Sequence, residues 1–328
     1  MKNSSKKILF IGLGGAGQRH LRIIRSKFEG AKLYGFRRKK NTPSLNPDFT
    51  IKKSSTLEKD YNLQLIESIE EIKKIQPNLT VIASPSAMHC SDILYAAESG
   101  SDIIVEKPGA MSSKEAKKIK EVVLEKKLKF LVSFQRRFHP LVKKFRENIL
   151  NNKIGKVFYI KISTKSFVPD WHPYEDFRNL YACRKDLGGG VIPTEIHEID
   201  IILWIFGNPN KIEVSSSNLS NFNLDVEDTA FIRLSFDNLV VEADLCFMDK
   251  DAKREILVEG ECGSMKLDLI QQNLEININK SNKISVNDNI QNDDQFREQL
   301  NFFFHELKRN SQTYLNAIVN NSKIIERR

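Results

Sequence analysis

The feature that most constrains this chain is a glycine-rich turn near its amino end. Residues 8–11 are a short apolar run, Ile-Leu-Phe-Ile, and Gly-Leu-Gly-Gly-Ala-Gly follows directly at residues 12–17. After it, Leu21, Ile24 and Phe28 recur at helical spacing. The pattern therefore predicts a strand, a tight turn and a helix, which is how a parallel α/β sheet begins.

The spacing of the glycines indicates what such a turn could bind. G-x-G-x-x-G lets the backbone turn sharply and approach a pyrophosphate, which then lies on the free N–H groups of the helix. We therefore expect dinucleotide contacts from six residues: Gly12, Gly14, Gly15, Ala16, Gly17 and Gln18. The alternative is a glycine turn that serves only the packing of the chain.

The end of the second strand bears on the choice of cofactor. An acid that binds the ribose of NAD is expected about 20 residues after the glycines. Here the strand at residues 32–36 is followed by Arg37 and Arg38, with no acid. Because a guanidinium suits a 2′-phosphate, NADP is favoured over NAD. A basic loop with no part in cofactor choice is the alternative.

Two later strands are expected to carry further cofactor contacts. Residues 80–83, Thr-Val-Ile-Ala, and residues 103–105, Ile-Ile-Val, are short apolar runs. Pro108 ends the second strand because it has no N–H for a sheet. Ligands of open α/β sheets lie at the carboxyl ends of the strands. The contacts are therefore expected from the side chains that follow the two runs: Ser84, Pro85, His89, Glu106 and Lys107.

Composition and domain organisation agree with a two-domain protein. The chain has 328 residues, more than one core usually serves. Strands alternate with helices over the first 130 residues or so, which predicts a doubly wound parallel sheet. After residue 207 the strands follow one another through short turns, which predicts antiparallel pairing. The predicted domains are residues 1–132, for dinucleotide binding, and residues 133–328, an α+β domain.

Charge and cysteine content narrow the class of protein. The net charge of +9 comes from basic residues interleaved with acids, so a nucleic-acid binder is an alternative that rests on charge alone. No run approaches the ~20 apolar residues of a membrane span. The four cysteines show no metal-ligand spacing and no secretory signal accompanies them. We therefore expect reduced thiols, no metal, no membrane and a cytoplasmic location.

The order and spacing of these motifs resemble the glucose–fructose oxidoreductase / inositol dehydrogenase (Gfo/Idh/MocA) family. The resemblance rests on the glycine turn, Ser84-Pro85-x-x-x-His89, Val105-Glu106-Lys107-Pro108, Arg137-Phe138-His139-Pro140 and His197-Glu198-Ile199-Asp200. It implies a Rossmann domain followed by a domain with a large open sheet, through which a homodimer or homotetramer forms. It also implies NAD(P)-dependent chemistry at a sugar-like hydroxyl, with Lys107 and His197 as the catalytic residues.

The second half supplies the expected substrate contacts. Residues 169–181 are rich in rings and polar tips, which suit a sugar ring and an anionic group, although a loop that packs its own aromatics is the alternative. The expected contacts are Arg136, Trp171, Tyr174, Arg178, Tyr181, Thr194, Glu195 and His197. Many members of the family carry an aspartate four residues before the histidine, where this chain has Pro193. Either Thr194 or Glu195 replaces that aspartate, or His197 works with Lys107 alone.

The sequence thus predicts an NAD(P)-dependent oxidoreductase that transfers a hydride between nicotinamide and a hydroxyl or keto carbon. The expected substrate is a sugar or nucleotide sugar, in surface polysaccharide or sugar biosynthesis. The alternative is a non-catalytic, dinucleotide-sensing regulator or scaffold of the same fold, which the proline at position 193 favours and the presence of Lys107 and His197 opposes.

Overall fold

The structure is a computed structural model that describes residues 6–39, 42–172, 175–279 and 282–328. Tyr174, one of the expected substrate contacts, lies outside these residues. The chain divides into two compact units. The first comprises Met1–Ser133, His172–Glu175 and Phe296–Val319, and the second comprises Phe134–Trp171, Asp176–Gln295 and Asn320–Arg328.

The first unit is built on a six-stranded parallel sheet. Its strands are β1 (Lys7–Ile11), β2 (Lys32–Phe36), β3 (Leu63–Leu65), β4 (Leu79–Ile82), β5 (Asp102–Glu106) and β6 (Phe130–Ser133), and its helices include α1 (Gly15–Lys27), α2 (Leu57–Tyr61), α3 (Ile72–Ile75), α4 (His89–Glu98) and α5 (Ser113–Glu125). The strand order is β3-β2-β1-β4-β5-β6, so the direction of winding reverses between β1 and β4. Ligands of doubly wound sheets bind at such a reversal.

Strand register aligns the carboxyl ends of the central strands. Ile11 pairs with Ile82, Ile82 with Val105, and Val105 with Val132. The residues one position further along each strand direction therefore form one row along one edge of the sheet. That row begins at Gly12 and continues through Ala83, Glu106 and Ser133.

The second unit is built on an eight-stranded sheet. Its strands are β7 (Val157–Phe167), β8 (Lys211–Ser217), β9 (Thr229–Ser235), β10 (Val240–Cys246), β11 (Met248–Gly260), β12 (Gly263–Asp268), β13 (Asn273–Ile278) and β14 (Asn282–Asn287), and its helices include α6 (Pro140–Leu150), α7 (Val191–Thr194) and α8 (His197–Phe206). The order is β14-β13-β12-β11-β7-β10-β9-β8, and only the β7–β10 pair is parallel. The predicted fold class, a doubly wound parallel sheet plus a mostly antiparallel sheet, is confirmed.

Two helices close the chain and contribute to both units. They are α9 (Asn292–His305) and α10 (Thr313–Ile325). The part of α9 from Phe296 onward belongs to the first unit, where Phe296 and Phe303 are buried. None of the helices in the described ranges is long and apolar enough to cross a membrane.

Three local features differ from what the sequence pattern predicts. The Asn/Asp-rich composition of residues 281–294 predicts a loop, yet β14 and the start of α9 lie there, and no clear pattern predicts β8. Both strands lie at the edges of the sheet, where polar side chains are tolerated and the apolar alternation that signals a strand is weak. Pro193 suits the first position of a helix, but it lies inside α7, and a break at Glu195 separates α7 from α8.

The two faces of the eight-stranded sheet differ in chemistry. Ile162 on β7 and Ile256 on β11 are fully buried on the face that α6, α7 and α8 pack against. The opposite face carries cross-strand ion pairs, and three of them are Arg233–Glu242, Lys266–Glu255 and Lys165–Asp244. One face is therefore core, and the other is polar and charge-paired.

Candidate functional site

The glycine turn has the shape that a dinucleotide needs. Gly12 has a φ of +90°, and a Cβ there would overlap the backbone carbonyl of Ala83. A Cβ at Gly17 would overlap the carbonyl of Gly12, so the helix packs directly on the turn. Gly14, in contrast, faces open space. The first turn of α1 has no side-chain cap and no acid, so its N–H groups are open to an anion.

The side chain of Gln18 is buried and holds the glycine turn in place. Its Nε2 donates to the carbonyls of Leu13 and Pro43, at 2.9 and 2.8 Å, and its Oε1 accepts from the N–H of Leu45. The side chain is 1% exposed. Gln18 therefore ties the glycine turn to the loop after β2, while Gly14 and Ala16 form the exposed part of the turn.

Phe49 lies beside the turn and was not predicted. Its ring fills the space that a Cβ on Gly15 would take. The guanidinium of Arg19 lies 5.0 Å from the ring centroid, and the ring of His172 stacks on it at 5.9 Å. Phe49 has a φ of 66°, which is unusual for a bulky side chain. It belongs to a polar loop with no periodicity, so the sequence carried no signal for it.

The two arginines after β2 are held by carboxylates. Arg37 donates to Glu58 at 3.1 Å. Arg38 makes a two-point contact with Asp92, at 2.6 and 3.2 Å, and its side chain remains 40% exposed. Asp92 is fully buried and also accepts from the hydroxyl of Ser84 at 2.6 Å. The expected cofactor residues Arg38 and Ser84 are thus joined through an acid that the sequence did not single out.

His89 is a buried, neutral histidine. Its Nε2 lies 2.9 Å from the carbonyl of Ser84, which can only accept, so Nε2 carries the proton and Nδ1 has the lone pair. Burial lowers the pKa of His89, although the charges of Asp92 and Glu106 act in the opposite direction. Pro85 sits between these residues and begins the short turn before α4. His89 can therefore accept a hydrogen bond at neutral pH.

The end of β5 places an acid and a base at the sheet edge. Glu106 accepts from His20 of α1 at 2.7 Å, and both side chains are largely buried. Burial alone would raise the pKa of Glu106, but the hydrogen bond from His20 and the charges of Lys107 and Arg19 more than offset this and lower it. Lys107 follows, half-buried, and the Lys107–Pro108 peptide bond is cis.

His20 itself is fixed on several sides and was not predicted. Its ring meets that of Phe296 edge-on, with 5.4 Å between centroids. Its Nε2 is also 3.5 Å from the hydroxyl of Ser133, which accepts from Gln299 at 2.7 Å. The glycine turn, Arg38, Ser84, His89, Glu106 and Lys107 therefore belong to one unit, and most line the carboxyl edge of its sheet. These residues fit a dinucleotide because the glycine turn is open, lies at the partly positive N-terminus of α1 and contains no acid.

The second unit carries the expected substrate residues. His197 begins α8, is 7% exposed, and meets Phe134 edge-on with 6.3 Å between the ring centroids. Thr194 is 5% exposed and ends α7, so the break at Glu195 separates it from the helix of His197. Asp200, three residues after His197, is held by Arg137 through two contacts of 2.7 Å and by Asn321.

Beside His197 lies a cluster of two acids and two arginines, which we call the Arg–Glu cluster: Arg136, Glu195, Glu198 and Arg254. Arg254 reaches Glu195 at 2.8 Å and Glu198 at 3.6 Å, and Arg136 also pairs with Glu198. Burial, together with the charge of Arg254, lowers the pKa of Arg136 well below its usual value. Arg254 was not predicted because it lies on a distant strand.

The described side chains of the aromatic segment, residues 169–181, have different surroundings. Trp171 packs edge-on against Phe247 with 5.3 Å between centroids. Arg178 is exposed, pairs with its near neighbour Asp176 and stacks on Phe177, while Tyr181 is half-buried. Among the residues that the structure describes, no group of histidine, cysteine or acidic side chains is arranged to hold a metal.

Comparison with known proteins defines the family. Residues 6–134 match the family model described as "Oxidoreductase family, NAD-binding Rossmann fold". Residues 146–327 match "Oxidoreductase family, C-terminal alpha/beta domain" of the same family, which is more than half of the chain. Together the two matches cover both units of the structure.

Individual proteins are similar at lower levels. The scyllo-inositol 2-dehydrogenase (NAD(+)) of Bacillus subtilis is 30% identical over 199 residues, which is 60% of this chain and 53% of that protein. Across the relatives compared, the matched part is between 34% and 68% of their length.

Solved structures show the same fold over nearly the whole chain. Biliverdin reductase of Synechocystis, in complex with biliverdin and NADP+, has a TM-score of 0.78 at 16% identity, over 98% of each chain. Levoglucosan dehydrogenase in complex with NADH has a TM-score of 0.79 at 15% identity, over 99% of this chain and 96% of that one. With both family models matched in sequence order, the chain belongs to the Gfo/Idh/MocA family of oxidoreductases.

Proposed function

We propose that this protein is an NAD(P)-dependent oxidoreductase that moves a hydride between nicotinamide and a hydroxyl or keto carbon of a sugar or nucleotide sugar. The observation that carries the proposal is one sheet edge on which an open glycine turn and the His20-bound Glu106–Lys107 pair are aligned. The nicotinamide, when bound, supplies the hydride chemistry. The protein supplies orientation, the proton and the charge.

Two tasks, the transfer of the hydroxyl proton and the stabilisation of the negative charge on the oxygen, are assigned to Lys107 and His197. When an alcohol is oxidised, its carbon loses a hydride and its oxygen loses a proton. One of these two side chains takes the hydroxyl proton, and the other donates a hydrogen bond to the developing alkoxide. Glu106, whose pKa is lowered by the hydrogen bond from His20, supplies a negative charge next to Lys107. In the reducing direction each step is reversed.

The two predicted domains take separate tasks in this proposal. Residues 1–132 bind the dinucleotide, and residues 133–328 bind the substrate and form the oligomer. The cofactor contacts proposed are Gly12, Gly14, Gly15, Ala16, Gly17, Gln18, Arg37, Arg38, Ser84, Pro85, His89, Glu106 and Lys107. The substrate contacts proposed are Arg136, Trp171, Tyr174, Arg178, Tyr181, Thr194, Glu195 and His197.

NADP is the proposed cofactor. Arg37 and Arg38 stand at the end of β2, and no acid follows that strand directly to bind a ribose. Both arginines already have a carboxylate partner, but each guanidinium has five N–H groups and can bind an anion as well. Isothermal titration should show tighter binding of NADPH than of NADH. Binding of NADH with equal affinity would contradict the assignment.

The proposal of a sugar substrate is supported by the relatives of this chain. An inositol dehydrogenase and a levoglucosan dehydrogenase are among the proteins this chain is similar to. A cytoplasmic location is proposed because all four cysteines are free thiols.

A homodimer or homotetramer through the eight-stranded sheet is proposed as well. Because the outward face of that sheet carries charge pairs, its dissociation should increase with salt, which light scattering would measure.

The reaction is tested by the Lys107→Ala variant. Its turnover should fall by about 100-fold or more, because the proton and the charge are no longer provided, while NADPH binding is largely kept. Nicotinamide absorbance over a panel of sugars and nucleotide sugars would measure this. The matched control is Lys120→Ala, since Lys120 lies on α5, outside the expected site, and its side chain donates to Asn316 at the surface.

Full activity of Lys107→Ala would defeat the catalytic assignment. Cofactor binding without hydride exchange on any member of the panel would favour the regulator or scaffold. The same panel run with Gly14→Ala separates binding from folding. Gly14 faces open space, so the variant should fold normally and bind NADPH about tenfold more weakly.

A further inference from the structure

The Arg–Glu cluster is built on the core face of the eight-stranded sheet. Arg254 on β11 pairs in register with Thr164 on β7, so both side chains project from the same face. Along this face of β7, Ile162 is apolar, whereas Thr164 and Ser166 are polar. The core face thus changes from apolar to polar toward one end of β7, under the start of α8.

The acids of the cluster are covered, and the arginines are not. Glu195 and Glu198 are 1% and 0% exposed. Each accepts from a hydroxyl of β7 as well as from an arginine: Glu195 from Ser166 at 3.1 Å, and Glu198 from Thr164 at 3.3 Å. The side chains of Arg136 and Arg254 remain 15% and 23% exposed. A molecule that approaches the cluster therefore meets guanidinium groups, not carboxylates.

The arginines also keep donors to spare. Each guanidinium has five N–H groups, which is more than its contacts with the two acids use. The two cations lie close enough for Arg254 to disfavour the charge of Arg136. An added anion would relieve that repulsion and take the free N–H groups. Arginine is the side chain that binds carboxylate and phosphate oxygens at two points at once.

We propose that Arg254, together with Arg136, binds an oxyanion carried by the substrate, so that the protein acts on an acidic sugar rather than a neutral one. The inference rests on the proposed function, because it names the substrate class of the same site. The shared chemistry is a carboxylate or a phosphate on the sugar. Glu195 and Glu198 act as positioning residues that hold the two guanidinium groups.

The test is the binding of three probes to the full chain with NADPH present, measured by isothermal titration. The probes are D-glucuronate, D-glucose 6-phosphate and neutral D-glucose, which separate carboxylate, phosphate and no anion. At least one of the anions should bind about tenfold or more tightly than glucose. Arg254→Gln should remove that advantage, so that the variant binds the anion no more tightly than it binds glucose, whereas Arg254→Lys should keep part of it.

Two further variants keep the test decisive. Arg254→Gln removes a cation that contacts the buried Glu195 and could unfold the protein, so Glu195→Gln/Arg254→Gln removes both charges together. It should fold and still lack the preference for the anion. Arg233→Gln is the matched control, because Arg233 pairs with Glu242 on the opposite face of the same sheet. It should bind every probe like the wild type.

The outcomes separate this inference from the proposed function. If glucose binds as tightly as both anions, or if neither anion binds less tightly to the Arg254 variants, the oxyanion site is wrong. If the cluster were purely structural, the Arg254 variants would bind all probes more weakly by the same factor, and this result would also overturn the oxyanion site. Anion binding that depends on Arg254 without any hydride transfer would leave the oxyanion site standing and defeat the oxidoreductase assignment.

Discussion

Two groups of buried acids, one in each unit, are neutralised in different ways. In the first unit Glu106 and Asp92 each pair with a different basic side chain, His20 and Arg38. In the second unit Glu195 and Glu198 share Arg254, and Glu198 also takes Arg136. Separate pairs can be altered one at a time, whereas members of a shared cluster are coupled. If the proposed function is right, cofactor binding depends on the separate pairs and substrate binding depends on the shared cluster.

The largest effect on stability is expected from removing the shared acid. Glu198→Gln leaves two arginines around a neutral group and should lower the free energy of unfolding by about 3–5 kcal/mol. Asp92→Asn in the first unit should cost less, about 1–3 kcal/mol, because Arg38 is partly exposed and water can solvate it. Urea unfolding of both variants would measure the difference.

The control for that pair of variants is Glu242→Gln. Glu242 pairs with Arg233 on the exposed face of the sheet, and such pairs contribute about 0–1 kcal/mol. Equal losses for Glu198→Gln and Asp92→Asn would remove the distinction between a shared cluster and a separate pair.

A smaller, pH-dependent effect is expected from His139 in the second unit. Its Nδ1 accepts from the N–H of Leu141 and caps α6, and burial lowers its pKa to about 4. Near pH 6.5 the imidazole of His139 binds a proton in the unfolded chain but not in the folded chain. Stability should therefore fall as the pH falls from about 6.5 to about 4, by about 3 kcal/mol at most.

His139→Asn isolates that contribution. Asparagine also caps helices but does not titrate, so this part of the pH dependence should disappear. Urea midpoints at several pH values would compare the two proteins. A variant that loses stability with acid as steeply as the wild type would show that His139 is not the group responsible.

The smallest effect is expected from His20 in the first unit, whose pairing is the counterpart of the shared cluster. His20→Asn should lower stability at neutral pH by about 1–3 kcal/mol and let the pKa of Glu106 rise. The pKa of Glu106 is lowered in the folded wild type, so this stabilisation is present above the carboxyl's unfolded pKa and is lost as the pH falls through the folded value.

The measurement for His20 is the difference in urea midpoint between wild type and His20→Asn as a function of pH. It should be largest near neutral pH and shrink below a pH of about 4. A difference that stays constant into acid would mean that His20 contributes through packing against Phe296 rather than through Glu106.

The first unit was predictable from sequence because its signals are local. The glycine turn and the end of β5 are each continuous segments, and the rule that ligands bind at the carboxyl ends of strands places them on one edge. Arg254 could not be predicted in the same way. Its partners are separated from it by more than 50 residues of chain and meet it only through the register of β7 and β11.

Other misses have similar physical causes. His20 lies on a helix face where a single histidine is usually structural, and only the fold brings it to Glu106. Phe49 belongs to an irregular loop with no periodicity, so its place beside Gly15 leaves no trace in the sequence. The break between α7 and α8 comes at Glu195, which pairs with Arg254, and no helix-start rule contains such a contact.

The central claim is that a bound nicotinamide ring meets the amine of Lys107 at the end of β5. A crystal structure with NADPH tests it most directly through the distance from Lys107 Nζ to the nicotinamide ring. The account predicts a separation that one substrate hydroxyl or one water can bridge, about 3–6 Å. An amine that points into bulk solvent, more than ~10 Å from the ring, would contradict it.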